Sequence, residues 1–189
     1  MVEMRQKALD RFGELVASIT DDQWDDPTPC TDWDVRALVN HIVWENEWAA
    51  ELTPGIKSMD DVGSSLDGDR LGDDPLGAFH RAATASQDAF RVPGAMEKKA
   101  KVSFGLMPVP EYLAQLYLDS VIHGWDLATA IGADATIEPE VAELLYAGVT
   151  AQADVVESNR EAGFFGPSVQ VDDDAPAAHK LLAFLGRQP

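Results

Sequence analysis

Apolar residues in this chain recur at three- and four-residue steps over most of its length. That period admits amphipathic helices and leaves little room for sheet. Residues about 2–19 place Met4, Ala8, Phe12, Leu15, Val16 and Ile19 on one stripe. Asp21 to Pro29 reads as a loop punctuated by Pro27 and Pro29. Thr31 is the expected N-cap of a second helix over about 32–52, with Asp32 and Asp34 at its positive end and Pro54-Gly55 closing it. Residues 55–75, rich in Gly and Asp, read as an exposed, mobile linker. A third helix is expected over about 75–91, then a short extended piece over Lys98–Phe104. A fourth helix, over about 110–131, starts through Pro110 and ends at Gly132. A fifth is expected over about 138–160, followed by an extended segment at Ser168–Val171 and a small helix near Ala175–Leu185. The pattern predicts an all-α bundle, one domain over 1–189, with its core in about 1–160 and a C-terminal extension over about 161–189.

Charge narrows the partners. The chain has 14 Lys+Arg against 33 Asp+Glu, a formal net charge of −19. Coulomb repulsion then opposes binding to nucleic acid or to an anionic membrane surface, and a small-molecule substrate is the remaining expectation. The longest apolar run, Leu181–Leu185, is far short of the about 20 residues that span a bilayer. Cys30 has no second cysteine to pair with, so a cytoplasmic, reducing location is the simplest account. Cys30 itself reads as a small packed residue rather than a nucleophile.

The histidines carry the chemical signal. His80 and His179 stand beside Arg81 and Lys180 and read as surface residues. His41 falls at the edge of the second helix's apolar stripe (Val35, Leu38, Val39, Ile42, Ala49), with Glu45 one turn on. His123 sits at the edge of the fourth helix's stripe (Leu113, Leu116, Tyr117, Leu127, Ile131), with Asp119 at i−4 and Asp126 at i+3. Residues at i and i+4 share a helix face, so an imidazole and a carboxylate can reach one ion, and bundles build metal sites from such pairs. Two imidazoles and one carboxylate leave coordination positions open, as catalytic sites do. The alternative is two surface ion pairs worth a few tenths of a kcal/mol, about 0.2–0.5 each. Of the neighbours, Trp33 and Trp125 are expected in the core, and Trp48 beside a pocket. Asp126 is expected to accept a hydrogen bond or to be a helix-surface charge, rather than a ligand, and Gly124 to admit a close neighbouring helix.

PTPCTDWDVRALVNHIVWE (27–45) and LDSVIHGWDLATAIG (118–132), together with the ending LLAFLGRQP (181–189), resemble an actinobacterial metal-binding family. That family is similar to the DinB-like superfamily and to the metal-binding domain of mycothiol-dependent maleylpyruvate isomerase. The resemblance implies a DinB-like four-helix bundle holding a divalent metal, with His41, Asp119 and His123 at the ligand positions. Glu45 becomes a fourth candidate, orienting His41 or acting as general base. Asp119 stands where many DinB-like members carry a histidine, which is closer to the isomerase pattern. The isomerase's further α/β domain has no counterpart in residues 161–189, so its reaction does not carry over.

Three functions emerge as expectations. The first is a metal-dependent enzyme that uses a low-molecular-weight thiol such as mycothiol to transfer to, or isomerise, a small electrophile. The second is a metal-dependent hydrolase with Glu45 as base. The third is a non-catalytic metal-binding module, with stripes on the first and fifth helices as candidate homodimer surfaces. The donor set suits Zn²⁺, and also Ni²⁺ or Fe²⁺.

Overall fold

A computed structural model describes residues 1–103 and 105–189; of the expected extended piece at Lys98–Phe104, Phe104 lies outside the described residues. The helical period resolves into α1 (Val2–Ser18), α2 (Val35–Leu52), α3 (Met59–Val62), α4 (Pro75–Arg91), α5 (Val109–Ala130), α6 (Pro139–Thr150), α7 (Ala153–Glu161) and α8 (Ala177–Phe184). Two short strands, β1 (Lys99–Val102) and β2 (Gly105–Pro108), pair antiparallel. By internal contacts the chain divides into two compact units, Met1–Ala133 and Asp134–Pro189.

In the first unit, α1 and α2 each pack against α4 and α5, which makes a four-helix bundle. The stripe read from the sequence of α2 is buried throughout: Val35, Leu38, Val39, Ile42 and Ala49 are all inaccessible. Each large apolar side chain so buried contributes about 1.5–3 kcal/mol. At the hairpin end, Trp48, Leu52, Phe90, Ala100, Val109, Leu113 and Leu116 form one apolar cluster, with Ala100 carrying β1 into it.

Local chemistry corrects several boundaries. Asp34, not Thr31, caps α2: its carboxylate accepts from the Ala37 N–H at 2.8 Å. Residues 28–33 instead close a turn in which the Thr28 hydroxyl donates to the Trp33 carbonyl at 2.8 Å and the Trp33 N–H donates to the Cys30 carbonyl at 2.8 Å. Residues 55–75 are not a free linker. Ser58 and Asp61 form a capping box on α3. Arg70 grips Glu47 of α2 through two bonds of 2.6 and 3.1 Å, and its backbone N–H donates to Asn40 at 2.7 Å. Arg36 holds Asp69, and Leu71 is buried beneath. The segment is seated both by these ion pairs and by Met59, Val62 and Leu66, which pack against the apolar cluster.

The second unit comprises α6, α7 and α8. The helix expected over 138–160 is broken at Ala151–Gln152, after Thr150 turns its hydroxyl back onto the carbonyls of Tyr146 and Ala147. Ser168–Val171 forms no strand; it makes a single backbone bond, from Val169 N–H to the Ala183 carbonyl. α6 packs against α8, and Tyr146 meets Phe184 edge-on. Gly186, at φ +86°, lies against Gly166 so closely that a β-carbon there would be 2.8 Å from the Gly166 backbone. No helix among the described residues is long and apolar enough to cross a membrane.

Candidate metal centre

Helical spacing puts Asp119 and His123 one above the other on α5, and the packing of α2 against α5 brings His41 to them. His41 Nε2 lies 3.0 Å from Asp119 Oδ2, and His123 Nε2 lies 3.6 Å from Asp119 Oδ1. One ligand atom from each residue falls within 4.8 Å of the others. The two imidazoles stand at 73° with centroids 5.2 Å apart. His123 is buried, while His41 and Asp119 are partly open to solvent.

Asp126, wholly buried, takes His123 Nδ1 at 2.9 Å, which is the acceptor place of the two expected for it and not a surface charge. In the neutral imidazole, a hydrogen bond from Nδ1–H to that carboxylate places the Nε2 lone pair toward Asp119.

Behind the donors lies a buried polar network. Arg5 of α1 has no accessible surface. It donates to Gln87 of α4 at 2.7 Å and to Asn46 of α2 at 2.8 Å, and its guanidinium lies 5.4 Å from the Phe90 ring centre. Desolvation depresses the Arg5 pKa to about 10, opposed by Glu45, Tyr112 and Asp119. Glu45 presents Oε2, shielded from solvent and without a hydrogen-bond partner among the described residues. Burial lifts the Glu45 carboxyl well above the usual carboxylate range; the negative Asp119 adds to the lift, Arg5 opposes it, and a hydrogen bond with Asp119 adds again. Burial, and then Glu45, also raise the Tyr112 hydroxyl above its ordinary range.

The tryptophans are distributed differently from expectation. Trp33 is not a core residue: the 28–33 turn lays its ring 4.5 Å from His41 and 5.3 Å from His123, centre to centre. Trp125 is only half-buried. Trp48 belongs to the apolar cluster, and Trp44, packed edge-on against it, takes the place at the pocket. A cavity of about 400 Å³ opens beside His41, walled by Trp33, Asn40, Trp44, Asp67 and Gly68. Gly124 admits no unusually close helix, since a β-carbon there would make an ordinary 4.0 Å contact with Phe12. His80 and His179 are exposed, as expected. A second cavity, of about 270 Å³, lies along α1 and α4 and touches none of the donor residues.

Arg5 escaped the reading of the sequence, although a signal was present. It precedes Leu9, Phe12 and Val16 by 4, 7 and 11 positions, the spacing of one buried face. Trp33, Asn40 and Asp67 carried no such signal, because the turn at 28–33 and the strapped 58–72 segment decide where they point.

Comparisons with known proteins agree with this architecture. Residues 5–128 match the model of the family described as mycothiol maleylpyruvate isomerase N-terminal domain. Two uncharacterised proteins from two strains of Mycobacterium tuberculosis are each 33% identical over 189 residues, covering 96% of this chain and 94% of their own length. Crystal structures of mycothiol-dependent maleylpyruvate isomerase and of its histidine-to-alanine mutant superpose with a TM-score of 0.62 at 14% identity, covering 79% of this chain and 68% of theirs. At that identity the likeness is one of fold.

Proposed function

This chain belongs to the mycothiol maleylpyruvate isomerase N-terminal domain family, and from that premise we propose that it holds a divalent metal at His41, Asp119 and His123 and acts on a small electrophile with a low-molecular-weight thiol. The observation that carries the reading is the convergence of one ligand atom each from His41, Asp119 and His123 within 4.8 Å of one another. In the neutral imidazole, with Nδ1–H given to Asp126, Nε2 and the Asp119 carboxylate face one another as two acceptors, 3.6 Å apart. A cation satisfies both.

The spacing fits such an ion. Tetrahedral Zn²⁺ with bonds of about 2.0–2.1 Å separates its ligand atoms by roughly 3.3 Å, and the contacts here are 3.0 and 3.6 Å within a 4.8 Å cluster. Two imidazoles and one carboxylate suit Zn²⁺ first, with Ni²⁺ and Fe²⁺ also accommodated. When bound, the ion supplies positive charge that favours a thiol's deprotonated form.

The chain's own residues do the remainder. Asp126 orients His123. Glu45, buried beside Asp119 with its carboxyl lifted by desolvation, is the residue proposed to exchange a proton with the thiol. Arg5 offsets the carboxylates from beneath, and Trp33 covers the imidazoles and limits water access.

Two measurements test the proposal: elemental analysis of untagged protein, and thiol consumption with electrophiles. About one divalent ion per chain, and thiol consumption lost in His41→Ala, are expected. Absence of metal under retaining conditions, or turnover undiminished in His41→Ala, would overturn it. Turnover that needs the metal but no thiol would move the assignment to a hydrolase with Glu45 as base.

A further inference from the structure

We infer that Trp33 is a positioning residue of the metal centre: its indole holds the His41 ring in place, as the Asp126 carboxylate holds His123. The inference rests on the proposed function, in that it takes His41 and His123 as metal ligands.

The two histidines are supported in different ways. A ligating imidazole ordinarily has its second nitrogen tied to a carboxylate, a carbonyl or a water, which sets the angle of the ring. His123 has that support from Asp126 at 2.9 Å. His41 bonds through Nε2 to Asp119 at 3.0 Å, and its Nδ1 meets no hydrogen-bond partner among the described residues. The Nε2 contact joins two atoms that would both be ligands, so it is no tether once both face an ion. The His41 side chain is also less enclosed, at 22% exposed against 6% for His123.

Aromatic packing is the support that remains. The Trp33 ring lies 4.5 Å from the His41 ring at a tilt of 32°, and Trp44 lies 6.1 Å away at 31°. Aromatic contacts extend over centre distances of about 4.5–7 Å, so Trp33 makes the tighter of the two. At so low a tilt the ring faces meet, and turning the imidazole about its Cβ–Cγ bond would drive an edge into the indole. Trp33 also touches His123, at 5.3 Å and 45°, but that ring keeps its bond to Asp126.

The indole is itself held from the turn ahead of α2. The largely buried Thr28 donates its hydroxyl to the Trp33 carbonyl at 2.8 Å, and the Pro27–Asp34 bridge closes the turn around it. The orientation of His41 is thereby delegated to a backbone turn that contributes no ligand.

The test is Zn²⁺ affinity of the full-length, untagged protein, read by competition with chelators of graded strength at fixed neutral pH. Trp33→Ala is expected to weaken binding about 3- to 10-fold, the worth of one aromatic pair. Trp33→Phe is expected to recover most of the loss and guards against misfolding, and Thr28→Val to weaken binding in the same direction. In a His41→Ala background, Trp33→Ala should change affinity by less than about twofold; in an Asp126→Asn background it should keep its full effect. A loss of equal size with and without His41, or one that Phe does not recover, assigns Trp33 to general packing and overturns the inference. Unchanged affinity in Trp33→Ala overturns it too. Ring ¹³C relaxation of the metal-free protein gives a readout independent of binding: the His41 order parameter should fall in Trp33→Ala while that of His123 holds. Protein that binds no Zn²⁺ sinks the proposed function, and relaxation then decides the role of Trp33, an unchanged His41 refuting it. Protein that binds Zn²⁺ with indifference to Trp33 sinks the inference alone.

Discussion

Replacing Asp126 by Asn isolates the step that aims His123. The two side chains are nearly isosteric, so packing around this fully buried position is conserved while its charge is removed. In the native chain the carboxylate takes His123 Nδ1 at 2.9 Å, a charge-assisted bond of about 1.5–3 kcal/mol. The amide leaves two alternatives. If its oxygen still accepts from Nδ1–H, the bond falls to about 0.5–1.5 kcal/mol and the imidazole becomes a weaker donor to metal. If its NH2 turns toward Nδ1 instead, the ring proton moves to Nε2 and the metal-facing lone pair is lost. Both outcomes lower metal affinity, by about 10- to 100-fold, or ~1.4–2.8 kcal/mol. Chelator competition with Zn²⁺ at fixed neutral pH reads the loss, with circular dichroism confirming the helices. An intact fold with Zn²⁺ affinity within about twofold of wild type would refute the reasoning, because Nε2 would then not depend on Asp126.

Three further predictions concern stability. Arg5→Met removes two short bonds and leaves the Asn46 and Gln87 oxygens short of a donor, although it also relieves a buried charge; urea unfolding should show a loss of about 2–4 kcal/mol. Adding Glu45→Gln to that variant should recover part of the loss, and strict additivity in the double-mutant cycle would deny the Arg5–Glu45 coupling. Asp61 lies below its ordinary 3.8 because the Ser58 hydroxyl and backbone N–H donate to it; its contribution is complete above 3.8 and is lost as pH falls through the lowered value, so amide-exchange protection at Ser58 should fall only in that acid window. Gly186→Ala combines positive φ with a 2.8 Å approach to Gly166 and should destabilise the Asp134–Pro189 unit by roughly 1–3 kcal/mol, read as a local gain in exchange around α8.

The part of the fold legible in the sequence came from periodicity. The spacing of Asp119, His123 and Asp126 specifies their mutual placement on any helix, and the stripes on α2 and α5 specify which faces turn inward. Residues whose positions depend on loop closure were not legible. Trp33 reaches the histidines only because Thr28 and Cys30 close a tight turn ahead of α2. The 55–75 segment has a linker's composition, and contacts distant in sequence give it a place: Arg70 with Glu47 and Asn40, 23 and 30 positions away, and Met59, Val62 and Leu66 against the apolar cluster. Arg5 was overlooked for a different reason: a charged residue reads as surface unless its partners are known, and Asn46 and Gln87 are 41 and 82 positions distant.

Every side chain assigned to the metal, to its orientation or to the cavity wall lies between Arg5 and Asp126, within the stretch that matches the family model. Substitutions confined to Asp134–Pro189 therefore leave every side chain of the proposed chemistry in place.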